Sequence, residues 1–267
     1  MSARQRDVNP LWSPHDLTVI LPALAKHLLD MVPVDNSTRV LDLASGSGTC
    51  ALAFAEHAGI VSAVDISSKQ VDACHAQVEA LGVGNVEVHL EDAAHLSFPN
   101  GTFDLVTGTG ALSNFDEPGK ALAEAHRVLK SDGLLTLGDF LLPRHAQEVW
   151  GVLSALKYGS RRPYLDYFQV VDLLLDACFE IVQYRPVRWM YPIRSMDKRD
   201  LPEALKERYY QAVQDMDAPT KQALRLQQHD GEWVVVHDCF ALVAAKFDER
   251  PRWQYEDRLE GKRAESV

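Results

Sequence analysis

The sequence is poor in the features that mark several broad classes of protein. Its four cysteines are Cys50, Cys74, Cys178 and Cys239, which lie too far apart to form a CxxC pair or a zinc-ligand pattern. No apolar run reaches the roughly 18 residues that a membrane-spanning helix needs, and the N-terminus is polar rather than a signal-peptide core. These absences predict a soluble, cytoplasmic protein with reduced cysteines.

Basic residues are also scarce relative to acidic ones. The chain has 27 Lys and Arg against 38 Asp and Glu, for a formal charge of -11. A surface of that sign repels phosphate backbones and anionic lipid, so we expect neither nucleic acid nor a membrane as a partner. Hydrophobic residues make up 46% of the 267 positions, which is enough for one sizeable core.

A regular alternation of strand-length and helix-length segments occupies most of the chain. The predicted strands are 39–44, 60–65, 86–90, 103–107, 134–140, 179–184 and 233–247. The predicted helices are 16–32, 49–57, 68–81, 117–130, 164–178 and 202–216. This rhythm with right-handed crossovers predicts a Rossmann-like, doubly wound α/β fold. Its seven-stranded sheet would be mostly parallel, with an antiparallel last strand.

The alternation also suggests how the chain is divided. Residues 1–36 are predicted as an N-terminal helical cap, 37–247 as the α/β domain and 248–267 as a charged tail. Two insertions, about 144–163 and 187–231, interrupt the rhythm and are expected to cover the carboxyl edge of the sheet as a lid.

A glycine-rich turn follows the first predicted strand of the sheet. Gly46-Ser47-Gly48 leads into a helix, and such a turn lets a ligand approach the backbone and the free N–H groups of the helix N-terminus. Asp65, at the end of the second strand, is placed to accept hydrogen bonds from two ribose hydroxyls. The turn alone is compatible with a nicotinamide dinucleotide or with S-adenosylmethionine.

Three features favour the second ligand. Asp42 lies inside the first strand, where a dehydrogenase has an apolar residue and where a carboxylate suits a ligand with a cation, such as the ammonium group of methionine. Glu91-Asp92-Ala93 ends the third strand, and a carboxylate followed by a backbone N–H matches the edge of adenine. The glycine turn also comes after a helical preface, whereas many dehydrogenases begin with it.

These residues resemble the class I S-adenosylmethionine-dependent methyltransferases, particularly their ubiquinone/menaquinone-biosynthesis-like branch. The matching stretches are 40–48 (VLDLASGSG), 63–67, 91–93, 98–106, 127–135 and 173–182. Two positions depart from the family pattern. Ala44 replaces the first glycine of the usual motif, and Cys178 stands where the family often has glycine, a change that concerns packing rather than chemistry.

The resemblance implies a cofactor-binding role for each matched position. The backbone of the turn would face the methionine and ribose parts, Asp42 the ammonium group and Asp65 the ribose diol. Ile66 would pack on adenine, and the residues after the fourth strand would line the sulfonium end. The full implied set is Asp42, Ala44, Ser45, Gly46, Gly48, Asp65, Ile66, Asp92, Ala93, Gly108 and Thr109.

Methyl transfer is an in-line displacement that needs a positioned acceptor in a dry cavity, and it needs a base only where a proton must leave. The loop after the fourth strand, 107–115, lacks both an Asn-Pro-Pro-Tyr motif and the aspartate of magnesium-dependent catechol enzymes, so no metal is expected. His145 follows the fifth strand at the ligand-binding edge and is the predicted base. The alternative is a solvent-exposed loop histidine.

The first insertion supplies the predicted acceptor-binding residues, which are Trp150, Tyr158, Arg161 and Tyr164. Their aromatic side chains suggest an apolar or aromatic acceptor, and Arg161 could hold a carboxylate or phenolate. The alternatives are packing within the lid, a solvated charge and a dimer contact.

The sequence therefore predicts an enzyme that transfers a methyl group from S-adenosylmethionine to an oxygen or carbon of a small, aromatic or apolar molecule. Two alternatives stay open: an S-adenosylmethionine-binding protein with a non-methylating role, and an NAD(P)-dependent oxidoreductase. The expected partner is a small-molecule acceptor, and a homodimer is compatible with the sequence.

Overall fold

The computed structural model of the protein describes residues 11–12, 17–158, 164–193 and 203–247. Within these ranges, nine strands form one sheet. The strands are β1 (Leu11–Trp12), β2 (Arg39–Leu43), β3 (Ile60–Asp65), β4 (Val86–Leu90), β5 (Phe103–Thr109), β6 (Leu129–Leu141), β7 (Phe179–Pro192), β8 (Leu226–His229) and β9 (Glu232–Lys246).

Eight α-helices and one 3-10 turn accompany the sheet in the described ranges. The helices are α1 (Leu17–Leu29), α2 (Thr49–Ala55), α3 (Ser68–Leu81), α4 (Pro118–Val128), α5 (Arg144–Tyr158), α6 (Tyr167–Asp176), α7 (Glu203–Asp215) and α8 (Ala218–Ala223). The 3-10 turn is Leu112–Asn114. None of these helices combines the length and hydropathy needed to cross a membrane.

The strand order is β1-β7-β9-β6-β5-β2-β3-β4, with β8 paired to β9. Strands β4, β3, β2, β5 and β6 are parallel neighbours, whereas β9 runs antiparallel to both β6 and β7. The predicted fold class is confirmed: all seven predicted strands lie in this sheet, and β1 and β8 are short additions to it.

The core of the sheet reflects its parallel strands, which are covered by helices on both faces. Val40, Leu41 and Leu43 of β2 are all buried although they alternate between the faces. Val40 packs with residues of α1 and α2, and Leu41 packs with residues of α4 and α6. The strand can therefore be apolar along nearly its whole length, which makes the buried Asp42 within it an exception.

Two strands differ from their predicted lengths. The sixth predicted strand, 179–184, continues as β7 to Pro192, because Val187 and Trp189 keep alternating into the core and pair with β9. Residues 187–192, predicted as the start of the second insertion, are therefore strand. Strand β6 begins at Leu129 rather than at 134, since Leu129 already pairs with Phe103 of β5.

The two insertions share a hydrophobic cluster with α1 and β9. Trp150 of α5 packs with Val213 of α7, Leu226 of β8 and Val235 of β9, and Ile20 of α1 belongs to the same cluster. Helix α1 thereby connects the insertions with the sheet.

Candidate active site

A cavity of about 610 Å³ opens beside the carboxyl ends of the parallel strands. It is lined by the turn after β2, the end of β3, the loops after β4 and β5, and residues of α5, β6 and β9. Strand β2 lies between β3 and β5: the chain adds β3 and β4 on one side of β2 and then adds β5 and β6 on the other side. Such a switch point is where open α/β sheets bind ligands.

The turn after β2 depends on left-handed backbone. Gly46 and Gly48 have φ values of 56° and 92°. A Cβ at Gly48 would lie 2.6 Å from the Sγ of Cys74, whereas a Cβ at Gly46 would meet nothing closer than 4.0 Å. Gly48 is thus required by packing as well as by its φ, while Gly46 leaves open space on the cavity side.

Four described residues with side chains occupy the same left-handed region, and two of them stand where the family pattern has glycine. Ala44, where the family motif has glycine, has a φ of 51°, and Cys178 has a φ of 60°. An L-residue pays a steric cost there that glycine avoids. The departure at Cys178 therefore also concerns backbone conformation, which the sequence pattern did not indicate.

Asp65 ties the end of β3 to the glycine turn and also faces the cavity. Its Oδ2 accepts a hydrogen bond from the N–H of Gly46 at 2.9 Å, and its Oδ1 accepts one from the N–H of Ser67 at 2.9 Å. These two backbone donors fix the carboxylate at the rim of the turn. In that position its two oxygens could each accept a hydrogen bond from one hydroxyl of a vicinal diol.

Asp42 is completely buried directly beneath the turn. Neither of its carboxylate oxygens has a hydrogen-bond partner among the described residues. Burial raises the pKa of Asp42 to about 7. The nearby N–H of Ala51 and thiol of Cys50, neither of which forms a hydrogen bond of normal geometry with the carboxylate, only partly oppose that rise. An uncompensated buried carboxylate is costly, and a ligand that brings an ammonium group near the turn would relieve that cost.

The far end of the cavity combines an apolar surface with a carboxylate. Ile66 is 71% exposed although it is aliphatic, and it lines the cavity near Asp92 and Ala93. Asp92 accepts a hydrogen bond from the N–H of Ala94 at 2.9 Å, which lowers its pKa. A flat ring with an amino edge fits this pairing of an exposed aliphatic side chain and an ionised acceptor.

The opposite half of the cavity is mainly aromatic. His237 of β9 is 4% exposed, and its ring centroid lies 4.7 Å from that of Trp150 and 5.6 Å from that of Phe140. Tyr164 packs edge-on against Trp150 at 6.1 Å. The indole nitrogen of Trp150 is buried without a hydrogen-bond partner among the described residues. Leu21 and Phe115 complete this wall.

A buried carboxylate stands behind the wall, between the two halves. Asp139 of β6 is 2% exposed, and its Oδ1 accepts a hydrogen bond from the hydroxyl of Ser113 at 3.1 Å. The N–H groups of Ser113 and Phe140 also donate to it, at 3.1 and 2.7 Å. Burial raises the pKa of Asp139 to about 6, against the lowering effect of these donors. Both Ser113 and Phe140 line the cavity.

The structure brings most of the sequence-predicted site residues to this cavity. Those that line it are Ala44, Ser45, Gly46, Asp65, Ile66, Asp92, Ala93, Thr109, Trp150 and Tyr164. Asp42, Gly48 and Gly108 lie behind its wall as buried supports.

One predicted residue lies away from the cavity, and two others fall on parts of the chain that the structure does not describe. His145 is exposed in the first turn of α5 and is not among the lining residues; its neighbours Ala146 and Trp150 take the inward face of that helix, so this placement does not support a role as base. Tyr158 ends α5 with a side chain outside the described part of the structure, and Arg161 lies outside the described residues.

The sequence reasoning missed Ser113, Asp139, Phe140 and His237. One signal was available: Asp139 interrupts an apolar strand just as Asp42 does, and a lone acid in a buried strand indicates a site. His237 carried no comparable local signal, because it faces the cavity only through the antiparallel return of β9. Among the described residues, no group of three or more His, Cys, Asp or Glu is arranged to hold a metal ion.

Comparisons with known proteins agree with this geometry. Residues 40–133 match a methyltransferase domain family. A ubiquinone/menaquinone biosynthesis C-methyltransferase of Hydrogenovibrio crunogenus is 35% identical over 183 residues, which is 60% of this chain and 72% of that protein. The methyltransferase YcgJ of Bacillus subtilis is 36% identical over 160 residues, but the match covers only 62% of its length and 58% of this chain.

Solved structures show the same fold. The YcgJ protein of Bacillus subtilis superposes with a TM-score of 0.75 at 20% identity, covering 85% of this chain and 99% of that one. A geranyl diphosphate C-methyltransferase from Streptomyces coelicolor, solved with S-adenosyl-L-homocysteine, has a TM-score of 0.61 at 13% identity, covering 84% of this chain and 80% of that one.

Proposed function

We propose, from the premise that this chain belongs to the class I S-adenosylmethionine-dependent methyltransferases, that it methylates an oxygen or carbon of a small, aromatic or apolar molecule. The acceptor would bind in the aromatic half of the cavity, beside the cofactor. Family membership supports S-adenosylmethionine as the cofactor. It argues against the alternative hypothesis of an NAD(P)-dependent oxidoreductase.

The observation that carries the proposal is the orphaned carboxylate of Asp42 under the glycine turn. A dinucleotide presents a pyrophosphate at such a turn, and the Asp42 carboxylate beneath the turn would repel that negative charge. A methionine ammonium group would instead compensate it, directly or through a water molecule. The residues present therefore fit S-adenosylmethionine better than a nicotinamide dinucleotide.

The cofactor half would hold its ligand through a few fixed groups. Asp65, already oriented by the N–H groups of Gly46 and Ser67, would accept the ribose hydroxyls. Ile66 would cover one face of the adenine, and Asp92 would accept from its amino group. When bound, S-adenosylmethionine supplies an electrophilic methyl group on a sulfonium.

The acceptor half would exclude water and orient the nucleophile. Trp150, Phe140 and Tyr164 form a largely apolar wall, and an acceptor seated on it would be held in a dry cavity where positioning contributes most to rate. The names of two relatives are compatible with this class of acceptor, since they refer to quinone biosynthesis and to geranyl diphosphate.

Calorimetric titration tests the cofactor half. We expect S-adenosylhomocysteine and S-adenosylmethionine to bind and NAD not to bind. Asp65→Ala should weaken S-adenosylhomocysteine binding by roughly tenfold to a hundredfold, the range for a lost hydrogen bond to a charged group. Asp72→Ala, an exposed acid on α3, is the matched control and should bind normally. Preferential binding of NAD would overturn the proposal.

Product formation tests the acceptor half. The protein is incubated with S-adenosylmethionine and a panel of phenols, quinols and aromatic compounds without hydroxyl groups, and S-adenosylhomocysteine is measured. Acceptor-dependent formation of S-adenosylhomocysteine supports the proposal. Tight cofactor binding with no turnover on any member of a broad panel would favour the non-methylating alternative.

A further inference from the structure

We propose that Ser113 and Asp139 form a proton-accepting pair that selects an acceptor carrying a hydroxyl group and directs methylation to oxygen. This inference rests on the proposed function, and it narrows the choice between oxygen and carbon. It concerns two residues that the family resemblance did not assign.

The geometry commits the hydroxyl proton of Ser113 to Asp139. The Ser113 hydroxyl donates to Oδ1 of Asp139 at 3.1 Å, and its backbone N–H donates to Oδ2 at 3.1 Å. Because its one proton is used in this way, the lone pairs of the Ser113 oxygen are left to accept a hydrogen bond. Ser113 lines the cavity, so the group that it can best bind there is a donor such as a hydroxyl.

The pair stands where the methyl group is expected. Ser113 lies in the loop after β5, three residues beyond Gly110, and Thr109 and Gly110 line the cavity at the expected sulfonium end. The local backbone is held firmly, because the N–H of Gly110 donates to the carbonyl of Gly138 at 2.7 Å and the side chain of Asn114 donates to the carbonyl of Gly110. A hydroxyl bound to Ser113 would therefore be presented at a fixed position.

The surroundings of Asp139 allow it to receive a proton. Helix α1 presents Leu24 and Leu28 to the neighbouring Gly138. On β9, burial together with the charges of Asp139 and Asp238 raises the pKa of the Cys239 thiol well above its ordinary value. That thiol stays neutral near pH 7 and leaves Asp139 as the anion of the pair. His237 lies beyond Phe140 on the same wall.

The step balances in atoms and charge. The acceptor oxygen forms a bond to the methyl carbon as the bond from carbon to sulfur breaks, and the electron pair of that bond stays on sulfur. The acceptor proton passes to the oxygen of Ser113 while the Ser113 proton passes to Oδ1 of Asp139. The products are a methyl ether, S-adenosylhomocysteine and a neutral Asp139, which later returns its proton to solvent.

A binding experiment on the protein saturated with S-adenosylhomocysteine tests the pair without turnover. Phenol and anisole are titrated as probes, since only phenol can donate a hydrogen bond. We expect the wild type to prefer phenol and Ser113→Ala to lose that preference by roughly tenfold, as a hydrogen bond to a charge-linked group is lost. Ser62→Ala, at a buried serine of β3 that does not line the cavity, should keep it.

The Ser113→Ala variant keeps the backbone N–H that bonds to Asp139, so a purely structural role of the carboxylate would leave the phenol preference intact. An unchanged preference in this variant, or no preference for phenol in the wild type, would overturn the inference. Unaltered affinity of the variant for S-adenosylhomocysteine would show that the cofactor site, and with it the proposed function, is unaffected by that outcome.

The pH profile supplies a second readout once the acceptor panel yields a substrate. S-adenosylmethionine is kept saturating throughout, so that the bound ammonium group holds Asp42 ionised. With the wild type, kcat/KM for the acceptor should then fall as the pH drops below about 6, because Asp139, whose pKa burial raises to about 6, holds a proton there. Asp139→Asn should have a low and flat profile in this range. An acidic limb that persists in Asp139→Asn would contradict the assignment.

Discussion

The two halves of the cavity are built in different ways. The cofactor half comes from the turn after β2, the end of β3 and the loop after β4, which follow one another closely in the sequence. Its polar contacts are mostly made by backbone groups. The acceptor half joins β5, β6, α5 and β9, and its contacts are made by side chains such as Trp150 and His237.

Because of this difference, we expect the two halves to tolerate amino-acid substitutions to different degrees. A half made of backbone and a few carboxylates depends on glycine conformations and on one buried charge, so substitutions there should disturb stability as well as binding. A half made of side chains packed in a lid can change its lining while the sheet beneath it stays the same. The predictions below test that separation, from the largest expected effect to the smallest.

Asp42→Asn should stabilise the ligand-free protein at alkaline pH. The unfolded carboxyl ionises from about its ordinary 3.8, but in the folded protein it keeps its proton until about 7. The free energy of unfolding of the wild type therefore falls by roughly 2 to 4 kcal/mol as the pH rises through this range. That of the Asp42→Asn variant does not, because asparagine does not ionise. Urea unfolding at pH 5 and pH 8 measures the effect.

The gain of the Asp42→Asn variant should be larger at pH 8 than at pH 5, while its affinity for S-adenosylmethionine should fall. An equal gain at both pH values would mean that Asp42 is ionised or compensated in the folded protein, and the contrast between the two halves would lose its main support.

Gly48→Ala should destabilise the fold by about 2 to 3 kcal/mol, because left-handed strain adds to the clash with Cys74. Gly82→Ala is the matched control, since Gly82 has a φ of 65° but open space around it, and only the left-handed strain, about 1 kcal/mol, should remain. Thermal or urea unfolding compares the two variants. Adding Cys74→Ala to Gly48→Ala should recover part of the loss, and equal costs at positions 48 and 82 would rule out the clash.

His237→Phe should act on the acceptor half alone. Phenylalanine can keep the ring contacts with Trp150 and Phe140 but removes both imidazole nitrogens from the wall of the acceptor half. We expect kcat/KM for the acceptor to fall about tenfold while the affinity for S-adenosylhomocysteine stays constant. A parallel loss of cofactor affinity would show that the halves are coupled.

Ala44→Gly should stabilise the protein slightly, by about 0.5 to 1 kcal/mol. It relieves the cost of a left-handed alanine, and the greater freedom of glycine in the unfolded chain offsets part of that gain. Cys178→Gly, at a similar φ but away from the cavity, should give a comparable gain. A loss of stability in Ala44→Gly would mean that the alanine methyl group packs better than its conformation suggests.

The sequence by itself determined the sheet and brought the residues of the proposed cofactor half to one edge of it. Strand and helix periods extend over many residues, and the turn chemistry of Gly46 and Gly48 is local, so both can be read without tertiary information. Asp42, Asp65 and Asp92 each follow or interrupt a strand at a position that the topology sends to the same edge. The main error of the sequence prediction was to end β7 at Tyr184. The residues beyond it alternate between apolar and polar types only weakly, and they are identified as strand by their pairing with β9.

Only the tertiary structure decided the acceptor half. His145 and Trp150 lie on one helix, and the side that faces the cavity depends on how α5 packs against α7 and β9, which leaves His145 exposed and Trp150 buried. Ser113, Asp139 and His237 lie on separate elements, and they meet because parallel strands end at one edge while β9 returns antiparallel beside them. Local sequence carries the conformation of each segment, but the contacts between distant segments arise only when the sheet order and the packing of the lid are fixed.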